Sequence, residues 1–136
     1  MKKLLFLLLL LPTLLFSQNK LVVNVKNVVS STGKISIAVY NSSKDFLSFD
    51  HSFKVESNQA VKLETVMEFA NLPPGTYALA VFHDENANGK LDTNFFGIPK
   101  EPVGFSIGKM KTFGPPSFQE CSFLLDSNKE ITVTLK

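Results

Sequence analysis

The chain has 136 residues and a formal net charge of +2, made up of fourteen lysines, no arginine and twelve acidic residues. Without arginine it lacks the bidentate reader of phosphates and guanine edges, which argues against nucleic-acid binding. Its one cysteine, Cys121, excludes an internal disulfide, and the alternating apolar run around it predicts a buried thiol.

Met1-Lys2-Lys3 leads into an apolar run from Leu4 to Phe16, broken at Pro12 and Thr13 and followed by the small Ser17. A basic start, an apolar core of this length and a small residue before Gln18 predict a secretory signal peptide over residues 1–17. The run is shorter than the ~20 residues a spanning helix needs, so no membrane span is expected in the mature form. The mature chain is expected in the periplasm or outside the cell. Removing Lys2 and Lys3 leaves twelve lysines against twelve acidic residues, close to neutral. Residues 18–136 suit a single domain with one hydrophobic core.

Short alternating segments follow, punctuated by turn residues. Leu21–Val25 reads as a strand, Ser30–Gly33 as a turn, and Lys34–Tyr40 as a strictly alternating strand. Asn41–Asp50 is polar with Phe46, Leu47 and Phe49 interspersed and reads as a loop or short helical turn. Phe53–Glu56 and Ala60–Phe69 are two further strands, the second with room for a bulge. Asn71-Leu72-Pro73-Pro74-Gly75 breaks the chain before Thr76–Phe82, the most apolar strand and the expected centre of a sheet. Glu120–Leu125 and Glu130–Leu135 close the chain, with Asp126-Ser127-Asn128 as a hairpin turn. These elements predict an all-β fold: a single antiparallel β-sandwich of about seven strands, immunoglobulin-like or transthyretin-like, with one long ordered loop over residues 84–117.

That loop exceeds thirty residues without a strand pattern, and loops so long within compact domains are usually functional or disordered. Its phenylalanines argue for order. Phe95, Phe96 and Phe105 are expected to form a core for the loop, the alternative being a surface that grips a ligand.

The loop opens with Asp84-Glu85-Asn86-Ala87-Asn88-Gly89-Lys90-Leu91-Asp92. Calcium takes six to eight oxygen ligands, so oxygens at alternate positions must curl around one point. Asp84, Asn86 and Asn88 stand at the first, third and fifth positions, Gly89 permits the sharp turn, Lys90 offers a backbone carbonyl, and Asp92 stands at the ninth. The twelfth residue is Phe95 rather than a bidentate glutamate, so this is not an EF-hand and the expected affinity is modest. The competing reading is turn chemistry alone, since Asn, Asp and Gly are what turns prefer. His83 and Glu101 are candidate ligand-binding residues beside the same loop. His83 has no partners for a triad or zinc site, Glu101 has no paired carboxylate, and no serine sits in a nucleophile elbow.

Leu72-Pro73-Pro74-Gly75-Thr76-Tyr77-Ala78, Val81 to Asn94, Phe95-Phe96-Gly97-Ile98-Pro99-Lys100-Glu101-Pro102-Val103-Gly104-Phe105-Ser106 and Gly114-Pro115-Pro116-Ser117-Phe118 together resemble the hallmark run of a bacterial exported family known only as domain of unknown function 2141. The resemblance spans the mature chain and implies a small secreted single domain with no assigned activity. Three functions are then open. The first is a non-enzymatic binding or structural module with a calcium-organised loop, facing an extracellular or envelope partner such as a glycan, a protein or a small apolar ligand. The second is an envelope-directed hydrolase using His83, Asp84 and Glu101. The third is a carrier that holds a small apolar molecule between the sheets or beneath the loop.

Overall fold

The computed structural model describes residues 18–107 and 110–136. The signal peptide expected over residues 1–17 lies outside them. Eight strands run in chain order: β1 Asn19–Val28, β2 Lys34–Tyr40, β3 Lys54–Gln59, β4 Leu63–Leu72, β5 Gly75–Asp84, β6 Val103–Phe105, β7 Phe123–Leu125 and β8 Lys129–Thr134. A 3₁₀ turn spans Phe49–His51, and a single helical turn, α1, spans Phe118–Cys121. The strands form one sheet ordered β4-β1-β8 and a second ordered β3-β2-β5-β6, with β7 also paired to β5.

Period-two alternation explains how the two sheets share one interior. Leu21, Val23 and Val25 of β1 and Ile35, Ile37 and Val39 of β2 are buried in a single cluster drawn from both sheets. Burying each such side chain stabilises the fold by about 1.5–3 kcal/mol. Cys121 is buried too. The opposite face of β2 and β5 carries Ala38, Tyr40, Ala80 and Phe82, with Ala38 paired to Ala80 in register. The Pro-Pro-Gly-Thr-Tyr turn enters β5 under a local restraint, because the Tyr77 hydroxyl donates to the Pro73 carbonyl at 2.8 Å.

Three expectations need correction. The sheets are not wholly antiparallel, since β8 runs parallel to β1 from Leu21↔Lys129 to Lys26↔Thr134. Asp126–Asn128 accordingly makes no hairpin: β7 pairs with β5, and the chain then crosses to β8 of the other sheet. This route puts Leu125 of β7 and Val133 of β8 into the same interior, which a hairpin within one sheet would not require. The expected strand Glu120–Leu125 begins instead as α1. Its cap is a reciprocal box in which the Ser117 side chain accepts from Glu120 N while Glu120 reaches back to Ser117 N.

The third correction concerns residues 84–117, expected to hold no strand. They include β6, which pairs Ala80↔Phe105 to Phe82↔Val103 along β5. Gly104 allows this strand to lie against the end of the chain. A Cβ there would come within 2.7 Å of Val133 Cγ1 and 3.0 Å of Thr134 O. Val103 and Lys136 also exchange backbone hydrogen bonds at 3.1 and 3.0 Å, linking β6 to the residues that follow β8.

Candidate functional site

At the end of β5, successive side chains go to opposite faces. His83 continues the inward face of Leu79 and Val81 and is fully buried. Its Nε2 donates to the Thr32 carbonyl at 2.7 Å, tying β5 to the turn between β1 and β2. Its Nδ1 is buried without a partner among the described residues. Gly33 of that turn sits against the start of the loop with φ +72°, and a Cβ there would fall 2.1 Å from Asp84 O. The backbone entering the loop is therefore clamped from the side by a position that only glycine fills.

Asp84, on the other face, turns its buried carboxylate into the loop. Oδ1 accepts from Asn88 N at 3.0 Å and Oδ2 from Gly89 N at 2.8 Å. Asn86 Oδ1 accepts from Asn88 N, and Asn88 Oδ1 from Lys90 N. Gly89 supplies the positive φ, +78°, that this curl requires. The two amides then converge on one carboxylate: Asn86 Nδ2 donates to Asp92 Oδ2 at 2.7 Å, and Asn88 Nδ2 to Asp92 Oδ1 at 3.1 Å. Asp84, Asn86, Asn88 and Asp92 are thus brought together around one turn. Lys90 contributes its amide N–H to that turn, and the residue also borders the groove described below.

Glu101 is the second tie. Only 7% exposed, it returns to the loop's start, where Oε1 accepts from Glu85 N and Oε2 from Asp92 N, both at 3.0 Å. Lys100 N donates to Asp92 O, and His83 N to Pro102 O, so the segment returning to β6 is held on both sides of Glu101. The sequence shows Glu101 without a carboxylate partner; its actual partners are backbone N–H groups nine and sixteen residues away. None of the ion pairs among the described residues involves Asp84, Asp92 or Glu101. No group of three or more His, Cys, Asp or Glu side chains among those residues is arranged to hold a metal. A cation here would have to draw on amide and backbone oxygens as well, with the Asn86 and Asn88 amides rotated to present oxygen.

The loop does not pack its phenylalanines into a core of its own. Phe95 is 97% exposed, Phe96 82% and Phe113 94%, which overturns the expectation that Phe95 and Phe96 are loop core. Phe105 on β6 is half-buried. The reason is local: Asn94 Oδ1 accepts from Phe96 N and Ile98 N, closing a tight turn whose tip carries both rings outward.

Between this loop and the outer face of β2 and β5 lies a groove of about 960 Å³. Ala38, Tyr40, Ala80 and Phe82 line it from the strands, Phe49 from the 3₁₀ turn, and Leu91, Phe96, Ile98 and Phe105 from the loop and β6. Burial pushes the Tyr40 hydroxyl up to about 12, so it stays protonated at any ordinary pH. His83, Asp84 and Glu101 do not line the groove. Sequence reasoning missed Ala38 and Ala80, whose small size leaves the space. Their outward positions in two adjacent alternating strands were the available signal.

The fold and this site together define a small two-sheet β-protein whose longest connection roofs an apolar groove on one sheet face. The chain belongs to the DUF2141 family, described as an uncharacterized protein conserved in bacteria, whose profile matches residues 23–134. The match runs from β1 into β8 and takes in the whole loop. No curated protein and no solved structure matches the chain.

Proposed function

We propose that this protein is an exported, non-enzymatic binding module, a β-sandwich of the immunoglobulin-like or transthyretin-like kind, that holds a small apolar ligand in the groove beneath its loop. The observation that carries the reading is the groove itself. Its volume falls within the ~300–1,000 Å³ typical of small-molecule sites, and its lining is mainly apolar with few polar groups. The engagement of His83, Asp84 and Glu101 in holding backbone argues against the hydrolase alternative.

Calcium is part of this proposal as the organiser of the roof, taken at modest affinity by Asp84, Asn86, Asn88, the Lys90 carbonyl and Asp92. Asp84, Asp92 and Glu101, all without an ion-pair partner among the described residues, lie on one loop, and a cation would relieve their mutual repulsion. Calorimetric titration reads this part separately. No heat and a melting temperature unmoved by calcium or chelator would remove calcium from the account.

The groove is tested with a fluorescent fatty acid titrated into the purified protein and into Ala80→Trp, whose indole fills the space above β5. Saturable binding by the wild type and its loss in a variant that melts at the same temperature is the expected result. Equal binding by both proteins, or none by the wild type, would overturn the groove as a binding site. Mass spectrometry of a solvent extract of the protein would then identify a natural occupant.

A further inference from the structure

The two tyrosines use their hydroxyls differently. Tyr77 donates to the Pro73 carbonyl at 2.8 Å, so its polar tip is satisfied within the fold. Tyr40 is only 2% exposed, yet its hydroxyl makes no hydrogen bond to any described residue. Buried hydroxyls are normally paired, because drying one without a partner is costly. This oxygen is not sealed in the way His83 Nδ1 is, and it keeps a share of the little exposure its residue has. The space it opens onto is the groove, which Tyr40 borders. Its neighbours explain the opening: Ala38, two residues earlier on β2, and Ala80 on β5 line the same outward face, and both end at Cβ. The ring itself is held by Phe46, edge to face at 5.2 Å, and Phe46 in turn meets Phe118 at 5.8 Å.

We infer that Tyr40 is the polar anchor of the groove and selects an uncharged, mainly apolar ligand bearing a carbonyl (a ketone, aldehyde or ester), whose oxygen accepts the Tyr40 O–H. This rests on the groove being a binding site and names the class of molecule it takes. A pure hydrocarbon would displace water from the hydroxyl and return nothing, leaving the O–H dry. A carbonyl replaces the lost bond. Burial pushes the phenol up to about 12, so the O–H is present to donate. Charge argues against an acid. The ionised side chains bordering the groove are Lys90, Lys111 and Asp50. Lys111 is held by Glu120 at 2.8 Å, so two cations meet two anions and none is left over for a carboxylate. Glu85 and Asp92 on the adjoining loop add further negative charge. Burying a carboxylate against a single phenol is costly, so an acid such as the fluorescent probe is held by its chain, its carboxylate left in solvent at the mouth.

The test is displacement of the fluorescent fatty acid by 2-octanone and by octane, from the wild type and from Tyr40→Phe, which keeps the ring and removes only the hydroxyl. The ketone should bind Tyr40→Phe roughly tenfold more weakly than the wild type, since its carbonyl is then buried unpaired, whereas octane should not weaken. Infrared spectroscopy of the ketone labelled with carbon-13 at its carbonyl gives a second readout. The carbonyl stretch should lie lower when bound to the wild type than when bound to Tyr40→Phe. Without ligand, Tyr40→Phe should melt no lower than the wild type, because the hydroxyl it loses has no protein partner to strand. The ligand class is overturned, with the groove intact, if the wild type takes up the probe but the ketone binds both proteins alike or shows one stretch in both. It is overturned too if Tyr40→Phe melts clearly lower, since the hydroxyl would then serve the fold. A wild type that takes up no probe overturns the groove reading, and this inference with it.

Discussion

Glu101→Ala removes a single buried carboxylate that joins the loop's beginning to its return. The side chain accepts from Glu85 N and Asp92 N, each at 3.0 Å. Hydrogen bonds to a charged group contribute about 1.5–3 kcal/mol each, so losing both sets a range of about 3–6 kcal/mol. Glu85 is exposed and Asp92 half-exposed, so water can reach the released N–H groups, and the lower end, about 3 kcal/mol, is expected. For a domain of this size that is a fall in melting temperature on the order of 10 °C. Glu101→Gln keeps the shape and one oxygen but turns an NH₂ toward a backbone N–H, so it should recover little of the loss. Urea unfolding of the wild type and both variants checks this, with m unchanged if the native and unfolded ensembles are otherwise alike. Hydrogen exchange adds a local readout: the Glu85 and Asp92 amides should be protected in the wild type and exchange faster in Glu101→Ala. A Glu101→Ala protein within about 0.5 kcal/mol of the wild type would refute the reasoning, because that is the level of an ordinary surface change.

Gly33→Ala should be more damaging than its size suggests, since its Cβ would lie 2.1 Å from Asp84 O at a φ of +72°. A loss of at least about 1–3 kcal/mol is expected from the backbone strain, together with weaker calcium heat, by denaturation and calorimetry. Glu120 is held down to about 2 by hydrogen bonds from Lys111, then from Ser117 N and Oγ. A depressed carboxylate contributes stability above its unfolded value and loses it as pH falls, so the α1 cap should loosen between about pH 4.5 and 2. Carbon-detected titration of Glu120 in the wild type and in Lys111→Ala checks this, and the variant should titrate closer to 4.5. Cys121, its thiol pushed up to about 11 by burial and by the charge of Glu120, should resist a disulfide reagent at pH 8 until the protein unfolds. Fast labelling of the native state would contradict that burial.

What the sequence disclosed depended on whether a feature was local. β2 matches its expected bounds, Lys34–Tyr40, because strict alternation between a glycine turn and an asparagine leaves one solution. β6 was hidden because three residues, Val103-Gly104-Phe105, carry no periodicity, and their strand state comes from pairing with β5 and with Lys136. α1 was legible in principle, since Ser117 and Glu120 have capping-box spacing, but the apolar residues after Cys121 pointed to a strand. The clustering of Asp84, Asn86, Asn88 and Asp92 was readable from their spacing, whereas the role of Glu101 needed the path of the chain. Phenylalanine exposure was the least legible of all, because composition gives hydrophobicity and only the turn at Asn94 decides which way the rings point.

The same physical constraint links the loop's polar and apolar halves. A thirty-residue connection ordered at about 1–2 kcal/mol of backbone entropy per residue needs compensation, and with Phe95, Phe96 and Phe113 in solvent the loop's own aromatics supply little of it. The compensation visible here is polar: Asp84, Asn94 and Glu101 each accept two backbone N–H groups, and β6 adds ladder bonds to β5. Side-chain acceptors have taken over the work that a hydrophobic loop core would do, which releases the rings to face outward. Cutting these acceptors should therefore abolish binding of the fluorescent fatty acid in the groove.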